Sequence, residues 1–455
     1  MDNSHDTTSF NYIADFGNLE LSATRYENKF ARNWFKVDKI DNNKVYGHGN
    51  GINNIIAAAN TGAATASAIL NGTNTQAVQI KLKNNNRAYT SEGTDLKLQY
   101  NTDKQSLTIG YRNTEDSEDR FQVYATTDWM NGKLGALTVG SDPGYSSNNR
   151  LTTAKATAFY VNEEVNIGAL TVNVGFRSEE WKISQDRYVD AARSAINTEK
   201  GYPKKLADSD NSLMGFGATY DVNDTTQLFF GFHEGFTPTG GGADPEEADN
   251  VEMGVRYAQD EMYFEAVYFD TDYQNMFGEC TASGGATGSC EIGDSFNAGE
   301  ASISGFELVA KTERVGELGT NYPLSMVYTS TDASFDNTFE SDFWGSVTSG
   351  MDIPDLPDSQ LALQAGFETQ TGLRGSATYY AYGSTCSVAS CAAGTSVDSY
   401  NVIDASLTKM VSDQLDVYMV VENITDETDV VARAPKNGAR AQKPRSFTVG
   451  VRFRL

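Results

Sequence analysis

The sequence predicts an all-β protein, an antiparallel transmembrane β-barrel, on the basis of three observations. Apolar residues alternate with polar residues or glycine in many segments of the chain, which is the period of a β-strand. Short turns alternate with long polar connections along the chain. The alternating segments have roughly the ~9–11 residues that a tilted strand needs to cross a bilayer. No segment shows a comparably clear helical period.

The C-terminal segment shows the alternation best. One of its faces consists of Phe447, Val449, Val451, Phe453 and Leu455. Similar apolar faces are 96/98/100, 107/109/111, 170/172/174/176, 228/230/232, 361/363/365/367 and 415/417/419/421. In a transmembrane barrel such faces contact lipid, because polar groups find no water there.

The connections favour a membrane barrel over a soluble sandwich. Tight turns rich in Asn, Asp and Gly are predicted at 17–18, 103–104, 131–132, 162–163, 223–224, 259–260, 371–372 and 412–413. Long segments lie between them at 31–93, 184–212, 237–247, 273–300, 333–357, 383–399 and 424–445, with shorter ones near 114–119 and 141–151. Barrels of the outer membrane have short inner turns and long external loops, whereas loops beyond ~15 residues are uncommon in compact soluble domains.

Counting hairpins gives about 19 strands. The predicted pairs start near 8/19, 94/106, 120/134, 152/167, 213/226, 248/261, 301/321, 358/373 and 400/414, and a last strand starts at 446. Because single-chain barrels of bacteria have even strand numbers, we expect the chain to be part of a larger barrel. No signal peptide is recognisable in its first ten residues, MDNSHDTTSF.

Charge and motifs exclude several function classes. The formal net charge is -26, from 35 Lys+Arg and 61 Asp+Glu, which argues against nucleic-acid binding through phosphates. Three histidines, His5, His48 and His233, argue against a His-based metal centre. The sequence has no H-E-x-x-H, G-x-S-x-G or P-loop motif. We therefore predict that the protein is not an enzyme and has no catalytic residues, no metal site and no resident cofactor.

The four cysteines form two close pairs, Cys280 with Cys290 and Cys386 with Cys391. Neither pair has C-x-x-C spacing, so a zinc site is disfavoured. Short spacings in Gly/Ser-rich segments favour two disulfide loops in an oxidising compartment, with four free thiols as the alternative.

Several segments resemble TonB-dependent outer-membrane transporters, and some resemble the ferric-dicitrate type. They are 30–35 (FARNWF), 234–238 (EGFTP), 245–257 (PEEADNVEMGVRY), 295–311 (SFNAGEASISGFELVAK), 421–426 (VENITD), 437–438 (NG) and 444–455 (PRSFTVGVRFRL). The resemblance implies a 22-stranded barrel of which about three first strands and the N-terminal plug have no counterpart in residues 1–455. Leu455 stands where the family usually ends in Phe, and the terminal apolar face would act as the barrel-assembly signal.

The resemblance implies a receptor and importer for a ferric chelate, such as ferric citrate or a siderophore, in the outer membrane of a Gram-negative-type envelope. Its expected partners are outer-membrane lipid, the barrel-assembly machinery and a TonB-type energising complex that contacts the region before residue 1. A passive pore without a plug and a structural or adhesive surface barrel are the alternatives.

Three residues are candidates for ligand binding on geometric grounds alone. Arg112, Arg177 and His233 each lie opposite the apolar face of a predicted strand, near the end that enters an external loop. A lumen-facing arginine there can form a bidentate pair with a carboxylate of an anionic chelate. The alternative is that these side chains only bind lumen water or a plug.

Overall fold

The computed structural model describes residues 2–41, 43–48, 51–141, 143, 148–239, 243–279, 295–297, 299–341, 344–434 and 436–454. Within them, 17 strands form one large sheet. The strands are β1 Asp2–Asp15, β2 Leu19–Asn33, β3 Arg87–Asn101, β4 Gln105–Phe121, β5 Asn149–Ile167, β6 Leu170–Arg187, β7 Lys204–Asn223, β8 Thr226–Thr237, β9 Glu246–Gln259, β10 Met262–Gln274, β11 Ala301–Val315, β12 Asn321–Phe335, β13 Ser359–Glu368, β14 Leu373–Tyr382, β15 Tyr400–Ser412, β16 Leu415–Glu422 and β17 Ser446–Phe453.

The large sheet is an antiparallel meander. Each strand from β2 to β16 pairs with the strand before it and the strand after it in the chain. One end of the strands carries short connections, such as 168–169 and 260–261, and the other end carries the long ones. Gly168 and Asp260 adopt positive φ values of 65° and 49°, as tight hairpin turns require. The predicted alternation of short and long connections is confirmed.

A belt of apolar side chains covers one face of the sheet near the short turns. Ile109 of β4 lies opposite Leu98 of β3 and Val161 of β5, and Phe230 of β8 lies opposite Met253 of β9. We call this face the apolar belt. It confirms the predicted strand phase, since a barrel turns such a band toward lipid.

The terminal strand shows the same phase. Phe447, Val449, Val451 and Phe453 are all exposed on one face of β17, at 61–72%. Leu455 lies outside the described residues. The role of this face in barrel assembly remains a prediction.

The predicted hairpin at 120/134 is wrong, and the large sheet has 17 strands rather than about 19. Tyr124–Met130 instead pairs with Val78–Asn84 in a separate five-stranded sheet, beyond the outer end of β4. Apolar side chains of this segment pack against a separate hydrophobic core outside the large sheet. Trp129, for example, packs near Ile69 and donates its indole N–H to the Ile69 carbonyl at 2.8 Å.

This second sheet belongs to an outer subdomain with two helices. Its strands are Phe35–Lys39, Val78–Asn84, Tyr124–Met130, Lys133–Leu134 and Thr138–Val139, and its helices are α1 Ile52–Asn60 and α2 Ala64–Asn71. The sequence reading missed both helices, which are only 9 and 8 residues long and rich in alanine. Ile55 and Ile69 anchor them in the core, where both side chains are buried. Neither these helices nor any other described helix is long and apolar enough to span a membrane.

The remaining long connections carry small elements of their own. These are the strand pairs Phe277–Glu279 with Ser295–Asn297, Phe339–Ser341 with Gly345–Val347, Thr385–Cys386 with Ser396–Val397 and Val430–Arg433 with Ala439–Ala441, and the 3-10 helix Thr198–Lys200. A second 3-10 helix, Glu317–Gly319, lies in the short connection between β11 and β12.

The outer loops are tied to one another. Phe335 is fully buried in a cluster with Val347 and Ala389. Asn437 donates its side-chain amide to the Asn53 side chain of α1 at 3.1 Å, and so joins the first long connection to the last. The Ser387 hydroxyl donates to the Lys436 carbonyl at 3.0 Å. These contacts thus link the long connections 34–86 and 423–445, and 336–358 and 383–399, at the outer end of the sheet, and Ser387 joins the two groups.

One of the two predicted cysteine pairs is bonded in the structure. Cys386 and Cys391 are bonded, with their Cα atoms 5.3 Å apart, in the long connection between β14 and β15. The other predicted pair, Cys280 and Cys290, lies outside the described residues, so that disulfide remains a prediction.

Candidate functional site

The face of the sheet opposite the apolar belt is the lumen face, and two predicted binding residues meet on it. Arg112 of β4 lies opposite Ala158 of β5. Arg177 of β6 lies opposite Tyr160, which is also on β5, two residues after Ala158. Both arginines line one cavity together with Trp181. We call this cavity the lumen recess.

The two arginines of the lumen recess are held by polar and aromatic neighbours. The Arg112 guanidinium donates to the Tyr26 hydroxyl at 3.3 Å. Arg177 donates from Nε to the Glu179 carboxylate at 2.9 Å, and its guanidinium carbon lies 5.8 Å from the centre of the Tyr160 ring. Such contacts orient the guanidinium groups but leave other N–H groups of each fork for a ligand.

Trp181 also lines the recess. Its side chain is 3% exposed and packs 5.1 Å from the Phe236 ring, centre to centre. In the described part of the chain its indole N–H has no hydrogen-bond acceptor, which is an uncommon state for a buried donor. The recess therefore combines two guanidinium groups with aromatic surface, and Asp116, Lys155 and Glu179 also line it.

The predicted position of Arg112 and Arg177 near the outer rim is wrong. Arg112 lies nine residues before Phe121, the end of β4, and Arg177 lies ten residues before Arg187, the end of β6. They therefore sit about 30 Å along the strand from the outer ends. The polar residues at 114–119 and 184–187, which the sequence predicts to lie in connections, form strand. Beyond the apolar belt both faces of a strand contact water, so polarity there does not end a strand.

His233 is on the lumen face but not in the recess. It lies on β8 opposite Gly215 of β7, two strands from Arg177. Its carbonyl accepts a 3.1 Å hydrogen bond from the side chain of Asn250. The structure thus brings together two of the three predicted binding residues.

The sequence reading missed a larger cationic feature at the outer end of the lumen face. Five arginines occupy one register row across β2 to β6, each directly opposite the next. They are Arg32, Arg87, Arg120, Arg150 and Arg187. We call this feature the arginine row. At a strand spacing of about 4.8 Å it spans about 19 Å.

One carboxylate lies at the centre of the arginine row. Glu118 accepts from Arg87 at 2.8 Å and from Arg120 at 2.6 Å, and its carboxylate is 3.6 Å from Arg150. The Tyr89 hydroxyl accepts from Arg32 at 3.0 Å. The side chains of Arg120 and Arg150 are only 8% and 7% exposed. Three guanidinium groups in a poorly hydrated place thus share Glu118.

Lys83 of the outer subdomain adds to this positive region. Its side chain is buried, and burial lowers the pKa of its amine to about 8. Asp38 opposes this shift, while Arg120 and Arg87 act in the same direction as burial. The outer end of β2 to β6 is therefore strongly cationic in a chain whose net charge is -26. Across the residues that the structure describes, no three His, Cys, Asp or Glu side chains lie close enough to hold a metal ion.

Comparisons with known proteins identify the fold. A family described as TonB dependent receptor-like, beta-barrel matches residues 2–424. The chain is similar to the structure of the siderophore receptor PiuA from Acinetobacter baumannii, with 15% identity and a TM-score of 0.72 over 99% of this chain and 64% of that one. It is also similar to the structure of the unliganded ferric citrate transporter FecA, with 14% identity and a TM-score of 0.69 over 99% of this chain and 61% of that one. The structure of the pyoverdine receptor FpvA from Pseudomonas aeruginosa, bound to pyoverdine, is also similar. Its sequence is 13% identical, and the TM-score is 0.68 over 100% of this chain and 62% of that one. The chain thus spans 61–64% of the length of these three proteins.

Proposed function

We propose that this chain, which belongs to the TonB-dependent receptor-like β-barrel family, is the barrel portion of an outer-membrane receptor and importer for an anionic ferric chelate. The observation that carries the proposal is the lumen recess, where Arg112 and Arg177 meet beside Trp181. A ferric chelate with free carboxylates is anionic, and guanidinium groups bind carboxylates through paired hydrogen bonds.

The electrostatics of the lumen face supports an anionic ligand. The chain as a whole is acidic, yet the arginine row and the recess place guanidinium groups at two depths of the same face. A ligand that enters between the outer loops meets the row first and the recess second. The Arg177–Glu179 ion pair offsets the charge of Arg177 in the recess, and a ligand carboxylate can compete for Arg177.

The solved structures lend the proposal support through their names. PiuA is a siderophore receptor, FecA a ferric citrate transporter and FpvA a pyoverdine receptor. For the whole protein we propose capture from outside, followed by transport energised by an inner-membrane TonB-type complex. We also propose that the barrel lies in the outer membrane, contacts its lipid and is inserted there by the barrel-assembly machinery.

Equilibrium binding to the barrel tests the proposal. Residues 1–455, refolded into lipid vesicles, would be titrated with radiolabelled ferric citrate and with a neutral ferric trihydroxamate. We expect saturable binding of ferric citrate, weakened tenfold or more in the double variant Arg112→Gln/Arg177→Gln, because a hydrogen bond to a charged group contributes about 1.5–3 kcal/mol.

Arg256→Gln is the matched control. Arg256 is a lumen arginine near the inner end of β9, ion-paired with Glu265 and 4.2 Å from the centre of the Phe229 ring. Its loss should leave ferric citrate binding unchanged. Absence of saturable binding by either chelate, together with leakage of unrelated small solutes, would favour the passive pore instead.

A further inference from the structure

We infer that the arginine row is a binding site for a polycarboxylate, in which Glu118 is a resident counter-ion that the ligand displaces. The inference deepens the proposed function and rests on it, because it assumes that solutes reach the lumen face from outside. It concerns a site distinct from the lumen recess. Arg120 of the row and Arg112 of the recess are eight residues apart on β4, about 26 Å along the strand.

The first argument is unused hydrogen-bonding capacity. Within the described ranges, the Nε–H groups of Arg32, Arg87 and Arg150 are buried and have no acceptor. A buried donor without a partner costs about 1–3 kcal/mol, and more when the group is charged. Three such donors in one register row indicate that the row is complete only when further acceptors are present.

The second argument is charge. Arg87, Arg120 and Arg150 share the Glu118 carboxylate. Lys83 is buried close enough to this cluster for Arg120 and Arg87 to lower the pKa of its amine. A site with this excess of cations favours an anion with more than one negative charge, since each added carboxylate reduces the repulsion between the guanidinium groups.

The third argument is shape, and it selects carboxylate over phosphate. The Cα atoms of the five arginines lie on neighbouring strands at about 4.8 Å spacing, so the row extends over about 19 Å. Arg87, Arg120 and Arg150 converge on Glu118 at its centre, and Arg32 and Arg187 lie at its two ends. Several separate planar carboxylates match such a row, whereas a phosphate presents its oxygens around one atom. Glu118 shows that the row accommodates a carboxylate, because its own carboxylate accepts hydrogen bonds from Arg87 and Arg120.

The role of Glu118 follows from its position between the arginines. In the empty site it offsets part of the positive charge and stabilises the outer ends of β3, β4 and β5. A bound polycarboxylate takes over the same guanidinium donors. Glu118 then competes with the ligand, so its carboxylate stabilises the empty barrel while lowering the affinity for the anion.

Calorimetric titration of iron-free citrate into residues 1–455 in lipid vesicles tests the inference. We expect citrate to bind the wild type, to bind at least tenfold more weakly to Arg150→Gln, and to bind about three- to tenfold more tightly to Glu118→Gln. Arg150→Lys retains the charge but lacks the planar fork. It should also bind more weakly, and it is the variant to use if Arg150→Gln does not fold. Arg256→Gln, far from the row, should bind like the wild type.

Three outcomes would overturn the inference: wild-type affinity in both Arg150 variants, weaker binding in Glu118→Gln, or tighter binding of inorganic pyrophosphate than of citrate. The last outcome would assign the row to phosphates. Because the ligand here carries no iron, citrate binding to the row without ferric citrate binding to the recess would reject the proposed function alone. Ferric citrate binding that is insensitive to the Arg150 variants, with no binding of free citrate, would reject this inference alone.

Discussion

Ile109→Arg is the sharpest test of the assigned strand phase. Ile109 lies in the apolar belt, opposite Leu98 of β3 and Val161 of β5. Its neighbour Thr108 points to the lumen face, opposite Asn162. The same substitution at these adjacent positions therefore places an arginine either in hydrocarbon or in the water-accessible lumen.

The expected magnitude follows from the depth of Ile109. It is four residues from Gln105, the first residue of β4, which corresponds to about 13 Å along the strand. At a strand tilt of about 40°, this is about 10 Å above the inner end of an apolar band about 25 Å tall. Near the midplane an arginine that faces lipid costs about 2–4 kcal/mol, a decrease of about 30- to 700-fold in the ratio of folded to unfolded protein.

Denaturant unfolding in lipid vesicles, followed by tryptophan fluorescence, measures this difference. Ile109→Arg should lower the free energy of unfolding by about 2–4 kcal/mol. Thr108→Arg should change it by about 0.5 kcal/mol or less, as for other water-exposed substitutions. Equal losses in the two variants, or a greater loss in Thr108→Arg, would refute the assignment of the belt to lipid.

Two further predictions concern the outer end of the sheet. The pKa of Lys83, about 8, lies below the ordinary lysine value, so the cost of burying its charge is fully present below pH 8 and declines as pH rises toward ~10.5. The free energy of unfolding should thus rise over this pH range in the wild type. Lys83→Met should remove the rise and stabilise the protein at pH 7 by up to ~3 kcal/mol, whereas parallel pH curves for the two proteins would contradict the burial argument. Non-reducing peptide mapping should recover the Cys386–Cys391 link and a Cys280–Cys290 link, and four alkylatable thiols in protein isolated from the cell envelope would contradict both.

The sequence by itself determined the features that depend on local chemistry. Period-two alternation identified the lipid face at Leu98, Ile109 and Phe230, because lipid accepts only apolar side chains along a strand. Turn residues that tolerate positive φ marked the short connections, and the order of short and long connections defined the meander. The close spacing of Cys386 and Cys391 was enough to predict their bond.

Other features depended on the tertiary structure, because their signals are not local. Beyond the apolar belt both strand faces meet water, so composition could not show that β4 continues to Phe121, and Arg112 was placed too near the rim. Trp129 reads as a strand residue of the barrel, and only packing against Ile69 of α2 assigns it to the outer subdomain.

The arginine row shows the same limit for function. Its members come from five different strands, and a shift of one residue in any register would turn a guanidinium to the opposite face. The sequence contains these arginines, but only strand pairing aligns them into one binding surface.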